Sequence, residues 1–343
     1  MDKVMFEVRT LTPLFLAGAD LAGAELRAPT LRGLLRYWLR ALVGGLLGTD
    51  GPGLESTRQM ESAIFGSMGT SSAITVQVSG ASQEPREFSE KISIRQGEKQ
   101  LSTERGYLLW SMAKRGRRGN FWPARWYYPA GTGFQVVLSA REPFSQQLKQ
   151  ATAAFWLLTH LGGIGSRSRR CAGSVQASIQ DSRLLTALPS LSFVQAEHSR
   201  ALKQQFESSI DSARKLIALE TRPIQDAHFD VLASGACRIW ILHDGQPWHS
   251  AERALQITGE RLQAYRSRLN IEQRKIFGLP LANSTPGARR ASPLHLRITR
   301  LRGSYYVCVA VLFKTVSEDV RVQDYDVIEQ WSDEFRGKIE VQL

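Results

Sequence analysis

The segment GGIGSRSRRCAG, residues 162–173, has the composition of an anion cradle. Four glycines (Gly162, Gly163, Gly165, Gly173) share twelve positions with three arginines (Arg167, Arg169, Arg170) and two serines (Ser166, Ser168). Glycine lets a backbone reach positive φ and approach a ligand closely. Successive N–H groups in such turns form concave anion sites, and guanidinium is a planar fork that matches phosphate oxygens. The segment is not a Walker loop, because no GKS or GKT follows. It is not a dinucleotide fingerprint, because the spacing is incomplete and the segment trails an apolar, helix-like run instead of a strand. A surface loop with solvated charges is the plainer reading of the same residues.

Two other groups of residues point the same way. Arg32, Arg36 and Arg40 recur at i, i+4 and i+8, so on a helix they share one face. Leu31, Leu34, Leu35, Trp38, Leu39 and Leu42 form the opposite face. An ordinary amphipathic helix would look like this. Yet no carboxylate lies within four positions of those arginines, and an unpaired like-charge stripe destabilises a helix. That favours an anionic partner. Residues 114–129, KRGRRGNFWPARWYYP, interleave Arg115, Arg117, Arg118 and Arg125 with Phe121, Trp122, Trp126, Tyr127 and Tyr128. Aromatics that stack bases beside arginines that hold phosphates suit single-stranded nucleic acid. At least half of these aromatics are expected in the core instead.

Catalytic groups are sparse. Asp20 follows the first strand, and His160, His243 and His249 lie at element ends. General acid–base work needs a second positioned group, and none stands at a fixed spacing. No two-histidine spacing or carboxylate cluster argues for a metal, and no cofactor is implied.

The 343 residues carry a net charge of +12, which suits polyanionic partners. Up to position 180 there are 22 basic and 13 acidic residues, and beyond it 22 and 19. Between 105 and 170 there are 11 basic residues and one acidic one, Glu142. Three distant cysteines (Cys171, Cys237, Cys308) support neither a zinc knuckle nor a disulfide framework, so a reducing, cytoplasmic setting is expected. The charged, alternating start is no signal peptide, and no apolar run approaches the roughly 18 residues of a membrane span.

The elements that must position these groups follow from periodicity. Strands are expected at 4–10, 73–80, 133–140 and 174–181. Helices are expected from Thr30, as N-cap, to about 48, and over 144–161. Residues 195–220 read as helical. The order then recurs: strand 237–242, helix 250–269, strands 292–299 and 305–313, helix 324–335 and strand 338–343. The tetrapeptide Ile64-Phe65-Gly66-Ser67 recurs as Ile276-Phe277-Gly278-Leu279 in the matching slot. One duplicated βαββαβ unit is the expected architecture, an α+β fold.

The basic helix of AELRAPTLRGLLRYWLRAL, then E..IFGS and a strand, then LGGIGSRSRR, then IFGLPL with RRASPLHLRI, together resemble the RAMP superfamily of CRISPR proteins. Within it they resemble the family of the first RAMP subunit of type III-B (Cmr) effector complexes. The likeness spans about residues 3 to 300. It implies two ferredoxin-like, RRM-related domains with insertions. The first would be 1–181 with the glycine-rich loop, and the second 182–343 with a helical connector. It implies a cytoplasmic, non-catalytic subunit whose partners are guide (crRNA) and target RNA, near the guide 3′ end, and other Cmr subunits, with no membrane. The RNA-binding residues would be Arg27, Thr30, Arg32, Arg36, Arg40, Gly162, Gly163, Gly165, Ser166, Arg167, Ser168, Arg169, Arg170, Arg117, Arg118, Arg289 and Arg290, with phosphate at Arg167 and Arg169 above all. The chain departs from the family at Cys171 and Ala172, where glycine and an aromatic are usual. Relatives that cut RNA with an aspartate after the first strand, or with a histidine, keep an endoribonuclease at Asp20 or a histidine as the competing reading.

Overall fold

A computed structural model describes residues 2–18, 23–89, 106–117, 120–141, 145–182, 191–217, 224, 226–279 and 289–343. The first half runs β1 (Asp2–Thr10), α1 (Ala28–Leu47), α2 (Gly51–Phe65), β2 (Ile74–Ser79), β3 (Arg86–Glu87), α3 (Gly106–Leu109), β4 (Arg115–Arg117), β5 (Asn120–Trp122), β6 (Trp126–Tyr127), β7 (Gly133–Ala140), α4 (Ser145–Leu161) and β8 (Val175–Ser182). After α5 (Ser199–Ile217) come β9 (Cys237–Leu242), α6 (Ala251–Arg268), α7 (Ile271–Ile276), β10 (Leu294–Arg300), β11 (Tyr306–Phe313), α8 (Asp326–Ser332) and β12 (Ile339–Val341). The fold is mixed α+β with antiparallel sheets. One four-stranded sheet has the order β2-β7-β1-β8 and the other β10-β11-β9-β12. Counting strands within each sheet, both orders read second, third, first, fourth. Among the described residues no helix is long and apolar enough to cross a membrane.

Around α1 the structure differs from the sequence expectation in two ways. Helix α1 starts at Ala28 with Arg27 in the N-cap position, so Thr30 sits inside the first turn and caps nothing. Pro29, near the start, needs no N–H there and has a helical φ already. A second helix, α2, was not expected. Gly48 at φ 90° ends α1, and the Asp50 carboxylate accepts from the Gly53 N–H at 2.9 Å to start α2.

The repeated tetrapeptide makes the same turn twice. Gly66 has φ 81° and Gly278 φ 114°, the left-handed region that glycine enters freely. A Cβ on either would stand 3.0 Å from the amide nitrogen of a serine, Ser72 or Ser292. The Ser67 N–H donates to Thr70 O and the Leu279 N–H to Arg290 O, each at 2.8 Å.

The two sheets differ in what covers them. Val4, Phe6 and Val8 of β1 pack with α1 and α4, while Lys3 and Arg9, on the other face, are exposed. The second sheet is buried on both faces. Ile239, Ile241, Val309 and Val311 join the core of the first half, and Trp240, Leu242, Ala310 and Leu312 pack with α6 and α8.

Candidate nucleic-acid interface

Helix α1 does not present an unpaired arginine stripe. Arg36 Nη1 lies 3.0 Å from Glu61 Oε1, and Arg40 Nε lies 3.4 Å from Glu61 Oε2. The missing carboxylate arrives from α2, the helix that the sequence reading lacked. Arg36 Nη2 also donates to Phe65 O at 2.8 Å and to Gly66 O. These are carbonyls at the end of α2, where a cation is favoured by the helix dipole. Arg36 is therefore a structural clamp on the IFGS turn. Arg40 keeps a half-exposed side chain, at 48%. Arg32 is partly exposed, and its Nε has no hydrogen-bond partner among the described residues. Arg27 lies 3.7 Å from Glu25.

The glycine loop is a joint between the two halves, which corrects the expectation of an open cradle. Within 162–173 only Ser166 is exposed. Three of the glycines are packed closely against protein. A Cβ on Gly162 would stand 2.5 Å from the Trp38 indole nitrogen, one on Gly165 2.2 Å from Phe15 O, and one on Gly173 1.8 Å from Ile164 O. The Ser166 N–H donates to Phe15 O at 2.8 Å, and the Gly173 N–H to Pro13 O at 2.8 Å. Gly163 has more room, with its nearest such contact, Ala172 O, at 3.1 Å. Ser168 begins a short turn of 3-10 helix over Ser168–Arg170. Cys171 takes φ 66°. The departure from the family's usual glycine thus falls on a residue in the glycine-favoured region.

The loop arginines hold carbonyls of other elements. Arg167 donates to Leu108 O through Nε at 2.9 Å and Nη2 at 2.7 Å. Arg169 donates to Ser292 O at 2.5 Å. Its guanidinium lies 3.5 Å from Asp230 and 5.8 Å above the Tyr37 ring. Arg170 is buried and reaches Phe277 O at 3.3 Å and Leu294 O at 3.4 Å. Burial, with Arg167 and Arg266 nearby, pushes its pKa down to about 9. These contacts place Arg169 beside α1, at Tyr37, and draw Arg167 and Arg170 away from solvent. Arg290 donates to Lys275 O, while Arg289 is exposed. Arg117 lies on β4, and Arg118 and Asp20 fall outside the described residues.

Two residues at this joint were not anticipated. Arg297 on β10 is buried and donates to Thr159 O, to Gly162 O at 3.2 Å and to Val175 O at 2.7 Å. It caps the C-terminus of α4, whose carbonyls would otherwise lack donors. Burial pushes its pKa down to about 9. Asp230 accepts from Tyr37 Oη at 2.6 Å and from Thr315 Oγ1 at 2.8 Å. A charge at an alternating position of an apolar strand, as in LHLRIT, was the available signal for Arg297.

The three histidines singled out in the sequence each sit in a different setting, while His295 Nε2 lies 4.0 Å from Asp230 Oδ2 and 3.3 Å from Tyr37 Oη. His160 stacks on Trp156 at 4.4 Å with its Nδ1 2.9 Å from Trp156 O. Burial and the charge of Arg297 push it down to about 3, so it is neutral. His243 is buried, which lowers its pKa. His249 is exposed against the Tyr305 ring, at 5.1 Å. None of the three hydrogen-bonds a carboxylate among the described residues.

The sequence profile of the RAMP superfamily matches residues 7–176, a stretch that holds α1, the IFGS turn and the glycine loop. Over 325 residues the chain is 29% identical to the CRISPR system Cmr subunit Cmr1-1 of Pyrococcus furiosus, covering 89% of this chain and 86% of the relative. The chain is thus similar to members of the RAMP superfamily. Among RAMP proteins it is also similar to Cmr1-2 of the same organism, at 27% identity over 203 residues, which is 54% of this chain and 100% of that one. The crystal structure of Cmr1 from P. furiosus shares its fold, with a TM-score of 0.69 at 22% identity and 99% of each chain covered. A chain of a type III-B Cmr-β assembly, solved by cryo-EM bound to cognate target RNA, reaches 0.59 at 12% identity, over 97% of this chain and 100% of that one.

Proposed function

We propose that this chain is a non-catalytic, RNA-binding subunit of a type III-B (Cmr) CRISPR effector complex. The observation that carries the reading is the likeness to Cmr1-1 along 89% of the chain. Residues 1–181 and 182–343 are then two ferredoxin-like, RRM-related units, the second with α5 as connector. The common strand order of the two sheets supports this. Guide and target RNA and other Cmr subunits are the partners, in the cytoplasm.

The arginines divide by role in this reading. Arg36, Arg167, Arg170 and Arg290 shape the protein, because their guanidinium groups hold carbonyls. Arg27, Arg32, Arg40 and Arg289 keep exposure enough to meet phosphate. Arg169 sits between, paired but 29% exposed beside α1.

The test is a gel-shift of the purified chain on labelled guide and target RNAs, with and without magnesium. Retarded bands with intact RNA are expected. Cleavage that disappears in Asp20→Ala or His249→Ala would establish the endoribonuclease instead.

A further inference from the structure

The two halves contact each other through a surface that the first half also possesses, uncovered among the described residues. In β10 the Leu294 N–H donates to Ser292 Oγ at 3.2 Å, which turns the backbone groups of Leu294 away from β11. Backbone direction alternates along a strand in an antiparallel pair, so Leu296 and Ile298 face the same outer edge. The glycine loop occupies that edge. The Cys171 N–H donates to Leu296 O at 2.8 Å, and Ser174 Oγ accepts from the Ile298 N–H at 3.0 Å.

Strand β2 stands in the same position of the first half. The Ile74 N–H donates to Ser72 Oγ at 3.3 Å, so the backbone groups of Val76 and Val78 face outward as those of Leu296 and Ile298 do. Strand β2 ends its sheet, with β7 on one side and no strand on the other among the described residues. Its sequence, ITVQVS, is uncharged, β-branched and free of proline. Such an edge invites pairing, and solitary edges usually carry a charge or a proline. The turn leading into it, residues 67–72, is exposed throughout, and Met68 is fully so. The adjoining sheet face, with Thr75, Gln77 and Gln135, is exposed too, whereas its counterpart in the second half is buried.

We propose that the outer edge of β2 docks the glycine-rich loop of a different subunit built on the same βαββαβ unit, repeating between chains the joint that this chain makes internally. The occupant follows from the internal joint. A loop backbone N–H would donate to Val76 O, and a loop hydroxyl or carbonyl would accept from the Val78 N–H. The incoming loop needs no arginine for Phe65 O, because Arg36 already holds it, where Arg170 holds Phe277 O in the second half. A second copy of this chain is not the occupant, since its own glycine loop is buried on β10. The inference rests on the reading of the chain as one subunit of a larger assembly.

The test uses the full chain co-expressed with the other Cmr subunits and a guide RNA. Val76→Pro removes an outward donor without touching the β2–β7 ladder, a place where proline is tolerated. Met68→Asp changes only the exposed turn, so it decides the matter if the proline variant fails to fold. A benzophenone crosslinker at position 77 reports the neighbour. Expected are an incorporation into the complex at least about ten-fold weaker for both variants, unchanged RNA affinity of the isolated chain, and a crosslink to a glycine-rich loop of another subunit. Normal incorporation of Met68→Asp, or a crosslink to a second copy, overturns the proposal. Loss of RNA affinity with assembly intact makes the edge an RNA surface and overturns it as well. If no variant binds RNA but assembly still needs the edge, the RNA-binding reading fails and this one stands.

Discussion

Arg36 and Arg170 hold the same carbonyl in the two halves of the chain. Arg36 Nη2 donates to Phe65 O at 2.8 Å, and Arg170 Nη2 to Phe277 O at 3.3 Å. Each phenylalanine precedes a glycine of positive φ. The first arginine comes from the helix of its own half, and the second crosses from the glycine loop of the other half. A loop whose composition suits phosphate has thus placed one of its three arginines in a structural slot that the first half fills from within.

Removing the buried arginines at this joint should destabilise the fold. Arg297→Met would leave the carbonyls of Thr159, Gly162 and Val175 without a donor. A buried group left unsatisfied costs about 1–3 kcal/mol, so the expected loss is about 2–5 kcal/mol. Arg170→Met strips Phe277 and Leu294 and should fall at the lower end of that range. Urea unfolding of the full chain gives both numbers. A shift below about 0.5 kcal/mol, typical of surface changes, would show that water replaces these donors.

The glycines should rank by the space around them. A Cβ at Gly173 meets Ile164 O at 1.8 Å and one at Gly165 meets Phe15 O at 2.2 Å, both on positive-φ backbone, while Gly163 offers 3.1 Å and no positive φ. Alanine should therefore damage folding most at Gly173, then at Gly165, and least at Gly163. Thermal melts of the three variants check the order. Equal melting temperatures would mean that the loop relaxes freely and does not fix the two halves.

Periodicity made the strands and the main helices legible, because alternation and the leucine stripe of α1 are local. The recurrence of IFG in matching slots was legible for the same reason: a tight turn needs glycine at one position. What escaped was long-range. Asp50 and Pro52 do signal a helix start, but few apolar residues face inward on α2, and without it Glu61 has no visible place beside Arg36. Besides Asp230 at Arg169, the groups that Arg167, Arg169 and Arg170 donate to in other elements include backbone carbonyls of α3, of the segment leading into β10, and of the turn at Phe277. A carbonyl carries no residue signature, so composition alone pointed those arginines outward. Arg297 was hidden in a strand whose polar face would be solvated in an isolated unit and is buried only because the halves pack.

Acid should unfold the protein through its buried histidines. His160 titrates near 3 in the folded chain because burial and Arg297 disfavour the charged form, and near 6.5 when unfolded. Above about 6.5 both states are neutral and the histidine leaves stability independent of pH. Below it the unfolded chain binds the proton and the folded chain does not, so stability falls toward pH 3. The slope is about 1.4 kcal/mol per pH unit for each such proton. His295, lowered by burial and by Arg169 and Arg170, adds in the same direction. Urea midpoints between pH 7 and 5 should fall steadily, and His160→Leu should flatten the slope by one proton. An unchanged slope in that variant would place the titration elsewhere.

The arginines of α1 should separate by role when RNA affinity and stability are measured together. Arg36 holds Glu61 and the end of α2 with a side chain only 30% exposed. Arg36→Ala should lower the urea midpoint, and any loss of RNA affinity should follow from the lost turn. Arg40 is 48% exposed and shares the same carboxylate at 3.4 Å. A half-exposed ion pair is worth under about 1 kcal/mol, so a phosphate can compete for it. Arg40→Ala should leave the fold intact and weaken RNA binding, and Arg32→Ala should act likewise. For single strands each phosphate neutralised contributes roughly −0.7 to the slope of log affinity against log salt. The Arg32→Ala, Arg40→Ala double variant should therefore flatten that slope by up to about 1.4 without moving the melting temperature. Loss of affinity with an unchanged slope would mean that these arginines touch no phosphate. A fall in stability equal to that of Arg36→Ala would mean that the whole face is structural, and that RNA is held elsewhere, at Arg289 or on the insert between β2 and β7.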